Sequence, residues 1–291
     1  MELISGYMGD AVLRHALNDL TQRTFGFDFE GWVTGGYYEG DYIPYSFIED
    51  GKILSNVSAN RMTFMQCGRK QDYIQIGTVM TDPGDRGRGL ARKLIEHVAA
   101  QYKDLDGIYL FGNLDAVGFY RKCGFSEGRQ YAYSVRDEYL PKAGSDGPFI
   151  PLKECGPSVR DGYLSAVRSG AVNSSLEQIN RYGLTMFYTA SMDDVSYDPD
   201  TGCYIVTEAE GDSLVLKSII SREQILLKDV LSRLTGNFQK LRLGFTPLPQ
   251  DIPLCDEKIF DGGDDYRLFY SGSQLESIER ERLYFPELSH A

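Results

Sequence analysis

The sequence predicts an α+β fold, with a mixed α/β sheet in each of two units. Three observations carry that prediction. Residues 73–80 alternate as a strand and pass through a glycine-rich turn into a helix whose apolar positions Leu90, Leu94, Ile95 and Val98 recur at helical spacing. Asp50-Gly51 separates two β-rich runs, residues 45–48 and 52–57, and this dipeptide is a strong hairpin signal. The order of elements then repeats beyond the polar, turn-rich stretch 143–148, the expected linker between units spanning 1–143 and 149–291.

Taken in order, residues 10–24 place Val12, Leu13, Ala16, Leu17 and Leu20 on one helical face, with Asp10 as N-cap and Gly26 as stop. The aromatic and glycine-rich stretch 27–45 is too irregular for a long element. The hairpin follows, then the strand that enters the glycine-rich turn, the helix from Leu90, a strand at 107–111 and a second helix. After the turn at Gly128, the alternating run 129–135 reads as the last strand of the first unit. In the second unit we expect a helix over 176–184, paired strands over 203–208 and 213–220, a helix over 223–234 and strands over 240–245 and 266–270. A chain of 291 residues, 42% hydrophobic, can bury two such cores.

Composition narrows the function classes. The formal charge is −12, and it is unevenly spread: residues 1–145 hold 16 Lys and Arg against 19 Asp and Glu, residues 146–291 hold 14 against 23. Phosphate backbones and anionic membranes need clustered cations, so neither nucleic acid nor membrane is the expected partner; a cationic acceptor suits the excess of carboxylates, which also serves plain solubility. No run reaches the ~18 apolar residues of a membrane span, and the start lacks a secretory pattern, so a cytoplasmic location is expected. The five cysteines, Cys67, Cys123, Cys155, Cys203 and Cys255, lack metal-ligand spacing and read as reduced, mostly packed thiols, Cys67 on a strand and Cys123 on a helix; no metal is expected. The sequence leaves homo-oligomerisation open.

The turn itself is built for a diphosphate. At a helix N-terminus unpaired N–H groups and the positive end of the helix dipole converge. Gly87 and Gly89 let a ligand approach the main chain, and Arg86 and Arg88 add charge. The spacing fits neither the G-x-G-x-x-G dinucleotide loop nor the G-x-x-x-x-G-K-[ST] loop. Arg86-x-x-Gly89-x-Ala91 instead resembles the acyl-coenzyme A loop, R/Q-x-x-G-x-G/A, of the GNAT superfamily of N-acetyltransferases. Downstream, Asn113-x-x-Ala116-x-x-Phe119-Tyr120-x-Lys122-x-Gly124-Phe125 is similar to that family's N-x-x-A-x-x-F-Y-x-K-x-G-F. The second unit has no such loop and looks like a degenerate GNAT-like repeat, an unrelated α+β domain being the alternative.

The resemblance implies acetyl-CoA as cosubstrate and a direct transfer to a primary amine of a small molecule or peptide. A non-catalytic CoA-binding module, or a tandem acyltransferase with another acyl donor, are the alternatives. The main chain of Val79, Met80 and Thr81 would lie beside the pantetheine arm, with a backbone N–H near Val79 polarising the thioester carbonyl. The loop Arg86, Gly87, Arg88, Gly89, Leu90 and Ala91 would take the pyrophosphate. Asn113 would hydrogen-bond the arm or cap its helix. Tyr120 matches the family's general acid, a phenol that stays protonated at neutral pH; a tyrosine packed beneath a helix is the other reading. Where many relatives carry a glutamate base, this chain has Gln75, which cannot accept a proton usefully. His15 and His97 fall on helices and are poor substitutes. Trp32, Tyr37, Tyr38, Tyr42 and Tyr45, interleaved with Glu30, Glu39 and Asp41, fall where the family has its acceptor wall. The last residues, 285–291, do not read as a solvated tail, and we expect them to dock in or beside the acceptor cleft, where Glu287, His290 or the Ala291 carboxyl would orient or deprotonate the amine, the alternative being that the tail pins the second domain or a subunit interface.

Overall fold

The computed structural model describes residues 1–141 and 147–291, so residues 143–146 of the expected linker lie outside the described residues. The described strands form two mixed sheets. The first is laid down by β1 (Glu2–Ser5), β2 (Tyr42–Glu49), β3 (Lys52–Gln66), β4 (Arg69–Thr81), β5 (Gly107–Asn113) and β6 (Ser126–Gly128), with α1 (Ala11–Phe25), α2 (Glu30–Thr34), α3 (Leu90–Gln101) and α4 (Val117–Lys122) between them. After β7 (Gln130–Val135) and β8 (Ile150–Pro151) come α5 (Pro157–Ser169), β9 (Leu176–Gln178), α6 (Tyr182–Thr189), β10 (Val195–Asp198), β11 (Cys203–Glu210), β12 (Ser213–Ile220), α7 (Leu227–Arg233), β13 (Lys240–Leu243), β14 (Cys255–Phe260), β15 (Tyr266–Ser271) and α8 (Ser277–Arg280).

The first sheet runs β1-β2-β3-β4-β5-β15-β6, and the second runs β8-β10-β11-β12-β13-β7-β14. The two orders match position by position, and the units exchange strands: the first lends β7 to the second sheet, and the second lends β15, with β9 beside β3, to the first. β7, expected to close the first unit, pairs with β13 and β14 in the second sheet. β15, expected in the second unit, pairs with β5 along its full length, Tyr266 opposite Asn113 through Ser271 opposite Ile108. Local alternation specifies a strand but not its neighbour, which is why pattern alone assigned both to their own units.

Several elements follow directly from local chemistry. Asp10 caps α1 by accepting from the N–H groups of Val12 and Leu13, and Gly26 ends it in the left-handed region. Leu17 and Leu20 are buried beneath it, but Val12 is 78% exposed; it sits roughly 140° around the helix from Leu17. Asp50 and Gly51 both take positive φ, 49° and 78°, as the two-residue hairpin turn requires. Leu90, Leu94, Ile95 and Val98 of α3 are buried, the last three against Val57, Ile74 and Ile108 of the sheet, each burial worth about 1.5–3 kcal/mol.

Other expectations are corrected. Residues 176–184 divide into β9, which adds to β3 with Gln178 opposite Phe64, and α6, which starts only at Tyr182. The helix expected over 223–234 is the shorter α7. Helix α5, with Tyr163, Ala166 and Val167 buried, was not foreseen. Cys67 is an exposed turn residue at φ 47° rather than a packed strand thiol, whereas Cys203 and Cys255 are buried. Among the described residues no helix is long and apolar enough to cross a membrane.

A candidate active site where two strands part

β4 and β5 pair in parallel only from Tyr73 opposite Gly107 to Gln75 opposite Tyr109. Beyond that point they separate, although β4 continues to Thr81 and β5 to Asn113. The cause is a bulge. Against β3, Asn56 faces Met80 while Ser58 faces Gly77, so Thr78 and Val79 share the space opposite Val57 alone. Thr78 adopts φ 40°, an unusual conformation for a β-branched residue that costs on the order of 1–3 kcal/mol. A buried polar network holds it there. The Thr78 hydroxyl bonds to Ser58 at 2.6 Å and to Tyr42 at 2.9 Å, and Asn56 Nδ2 donates to the Thr78 carbonyl at 2.9 Å.

The gap widens into a cavity of about 590 Å³. One side comprises Val79 with Phe111, Asn113, Phe119 and Tyr120 of the β5–α4 region. The other holds Phe27, Phe29, Trp32, Asp41, Asn60, Arg61 and the α6 residues Gly183, Leu184, Phe187 and Tyr188. Gln75, Gly77, His290 and Ala291 lie between them on the lining. Tyr120 is buried, and burial pushes its phenol up to about 12. Gly112 gives its ring room, since a β-carbon there would come within 2.6 Å of Tyr120 Cε2.

Of the expected cofactor residues, Val79 and Asn113 line this cavity and the others do not. The Met80 side chain packs into the core beneath α1, and the Thr81 hydroxyl bonds Ser55 at 2.9 Å. The loop lies past the end of β4. Asp82 accepts from Gly84 N–H at 3.1 Å and pairs with Lys52 at 3.0 Å and Arg23 at 3.1 Å; the Lys52 contact leads the effects that hold its carboxyl below the usual range. Gly87 and Gly89 take φ 77° and 72°, and no atom stands within 4 Å of where their β-carbons would be. Gly89 caps α3 without a side-chain bond. Leu90 is a core residue, Arg88 pairs with Asp85, and Arg86 donates weakly to the Thr81 carbonyl at 3.4 Å. An open glycine cradle at an uncapped helix start fits a diphosphate.

The C-terminal segment enters the cavity. Phe285 is buried and stacks on Tyr109 at 4.2 Å, and the His290 ring stacks on Phe111 at 3.9 Å. Burial drives the His290 imidazole down to about 4, and its Nε2 has no partner. Ala291 reaches Gly77, where a β-carbon would come within 2.5 Å of the Ala291 carbonyl oxygen. Glu287 instead pairs with Arg242. His15 lies by Glu30 at 3.6 Å and His97 by Tyr45, and neither lines the cavity. Gln75 is buried, its carbonyl accepting from Asn60 Nδ2 at 3.0 Å. Sequence reasoning missed Gly77, Thr78 and Gly112; a glycine inside a strand is the signal that marks a bulge or a close approach.

Residues 14–125 match the model of the Acetyltransferase (GNAT) family. No curated protein matches the sequence. Among solved structures, the chain is similar to a probable N-acyltransferase from Enterococcus faecalis, at 17% identity and TM-score 0.56, over 95% of this chain and 74% of that one. It is also similar to a GCN5-related N-acetyltransferase from Kribbella flavida, at 14% identity and TM-score 0.53, over 95% and 73%. Eis1 from Mycobacterium abscessus aligns at 11% identity and TM-score 0.55, over 95% and 75%. These likenesses establish a shared fold that includes the second half of the chain.

Proposed function

We propose that this protein is an acetyl-CoA dependent N-acyltransferase that moves an acetyl group directly to a primary amine of a small molecule or peptide. The observation that carries this reading is the continuity of the cavity, which runs from the parted strands past Tyr120 and Gly77 to the aromatic end at Phe29 and Phe187. Such a space admits a thioester from one side and an amine from the other, as direct transfer requires.

In this reading Gly87, Gly89 and the start of α3, with Arg86 and Arg88 nearby, hold the pyrophosphate, while the free edges of β4 and β5, together with Asn113, pair with the pantetheine amides. The bulge at Thr78 and Val79 turns a backbone N–H toward the thioester carbonyl. The amine nitrogen bonds to the carbonyl carbon, the carbon–sulfur bond breaks, the amine gives up one proton and the thiolate gains one. Tyr120, kept neutral by burial, supplies the proton to sulfur and is reprotonated from solvent. The Ala291 carbonyl oxygen stands beside Gly77, and in a chain whose last residue is Ala291 it belongs to a carboxylate that takes the amine's proton. This assigns to the tail the role that Gln75 cannot fill.

Calorimetry with coenzyme A and thiol release on a panel of amines test the proposal together. Tight coenzyme A binding with no turnover on any amine would favour a binding module. Gly77→Ala is expected to displace Ala291 and lower kcat about 10²-fold or more, with coenzyme A binding kept. Full turnover by this variant removes the tail from the mechanism.

A further inference from the structure

We infer that the acceptor is an arylalkylamine, a single primary amine on a short alkyl spacer from a flat aromatic body. This rests on the transferase reading above. The acceptor end of the cavity is a lattice of interlocked rings. Phe27 meets Phe187 edge to face at 5.6 Å and 73°, Trp32 meets Phe187 at 5.8 Å and 84°, and Phe29 packs on Tyr42 at 4.7 Å. Trp32 is fixed by its Nε1–H, which donates to the Gly183 carbonyl at 2.7 Å. At the rim, Phe25 and Tyr188 remain 45% and 42% exposed, large apolar surface left uncovered beside an apolar cavity. An aromatic guest extends the edge-to-face pattern and covers that surface.

The charges in the wall point the same way. A polyamine or aminoglycoside needs several carboxylates free to meet its several ammonium groups, because each charge taken from water must be repaired. Both side-chain carboxylates among the described lining residues are already engaged. Glu39 pairs with Arg168, and Asp41 accepts from Asn180 Nδ2 at 3.0 Å and feels the Arg61 guanidinium. Burial, the largest influence on Asp41, raises its carboxyl above the usual range. A monoamine needs one polar pole only, and the main-chain carbonyl oxygen of Ala291 beside Gly77 provides it at the reacting end.

The experiment is steady-state coenzyme A release by the intact protein at saturating acetyl-CoA, with 2-phenylethylamine, tryptamine, spermidine and kanamycin. We expect kcat/KM for the two aryl amines to exceed that for the polycations by about tenfold or more, a difference of about 1.4 kcal/mol. Phe187→Ala should raise the aryl amines' KM by a similar factor and leave coenzyme A affinity unchanged. Phe25→Ala, at the exposed rim where folding is not at stake, should raise it less, in the same direction. Faster turnover of spermidine or kanamycin overturns the inference, as does an equal effect of both variants on all four amines. Calorimetry of 2-phenylethylamine with the coenzyme A complex separates two failures. Binding without transfer to any amine sinks the transferase reading; no binding alongside transfer to spermidine sinks only the inference.

Discussion

The two halves contain the same unit, strand, turn, helix and parallel strand, and only one of them is open. In the first half β4 leads through Gly87 and Gly89 into α3 and returns as β5; in the second β12 leads into α7 and returns as the parallel β13. Even the irregularity recurs, because β11 shifts register on β12 between Val206 and Thr207 and leaves Lys217 as the extra residue. Yet the space beside the second bulge is about 20 Å³ against about 590 Å³ beside the first. The second is filled from within, by the buried Glu177–Arg181 pair and by Pro286, Leu288 and Ser289 of the C-terminal segment. The turn ahead of α7 is closed as well: Asn173 Oδ1 accepts from Ile225 N–H at 3.1 Å, and Ser221 Oγ donates to the Glu223 carbonyl at 2.7 Å. A bulge therefore creates only the chance of a cleft. Whether a site forms depends on what the chain places in the gap and on whether the backbone of the turn ahead of the helix is already bonded.

The largest expected effect comes from closing the first loop as the second is closed. Gly89→Glu puts a side chain at φ 72° and a negative charge at the start of α3. Coenzyme A affinity should fall by at least about 10³-fold, through lost backbone contacts and repulsion of the diphosphate. Calorimetry reads this directly, and retained binding would show that the loop is not the diphosphate site.

Tyr120→Phe comes next. If Tyr120 protonates sulfur, kcat should drop by about 10²-fold with coenzyme A affinity nearly unchanged, because the ring still fills the space Gly112 leaves for it. An unchanged kcat would reduce Tyr120 to a packing residue like the many other buried tyrosines of this chain.

How much of this was legible follows the same division. The loop and its helix could be read because their chemistry is local: two glycines, two arginines and an apolar stripe lie within one short segment. The hairpin at Asp50-Gly51 and the cap at Asp10 were legible for that reason too. The exchange of β7 and β15 was not, since each alternates as well in one sheet as in the other. Nor was the aromatic wall completed by Phe187, which reaches Trp32 across more than half the chain; its local pattern is that of an ordinary helix. The arrival of the tail was foreseen from its apolar residues, but its landing point depends on Gly77, whose meaning appears only when Ala291 stands beside it.

The smallest expected effect concerns how that tail is held. Its docking unites the halves, since Leu288 and Ser289 fill the second cleft while His290 and Ala291 line the first. His290 stacks on Phe111 with Nε2 buried and unpartnered, so the ring must enter neutral. Its pKa falls in the folded chain from 6.5 to about 4. A depressed value means that docking is fully supported above pH 6.5 and weakens as pH falls through the window down to about 4, because the undocked imidazole takes up the proton first. Thermal midpoints measured between pH 7 and 4 should therefore decline less steeply for His290→Phe, which keeps the stacking on Phe111 and removes the proton, than for the unaltered protein. Parallel declines in the two proteins would mean that protonation elsewhere governs the acid limb, and that the tail is held by Phe285 and Leu288 without any contribution from the state of His290.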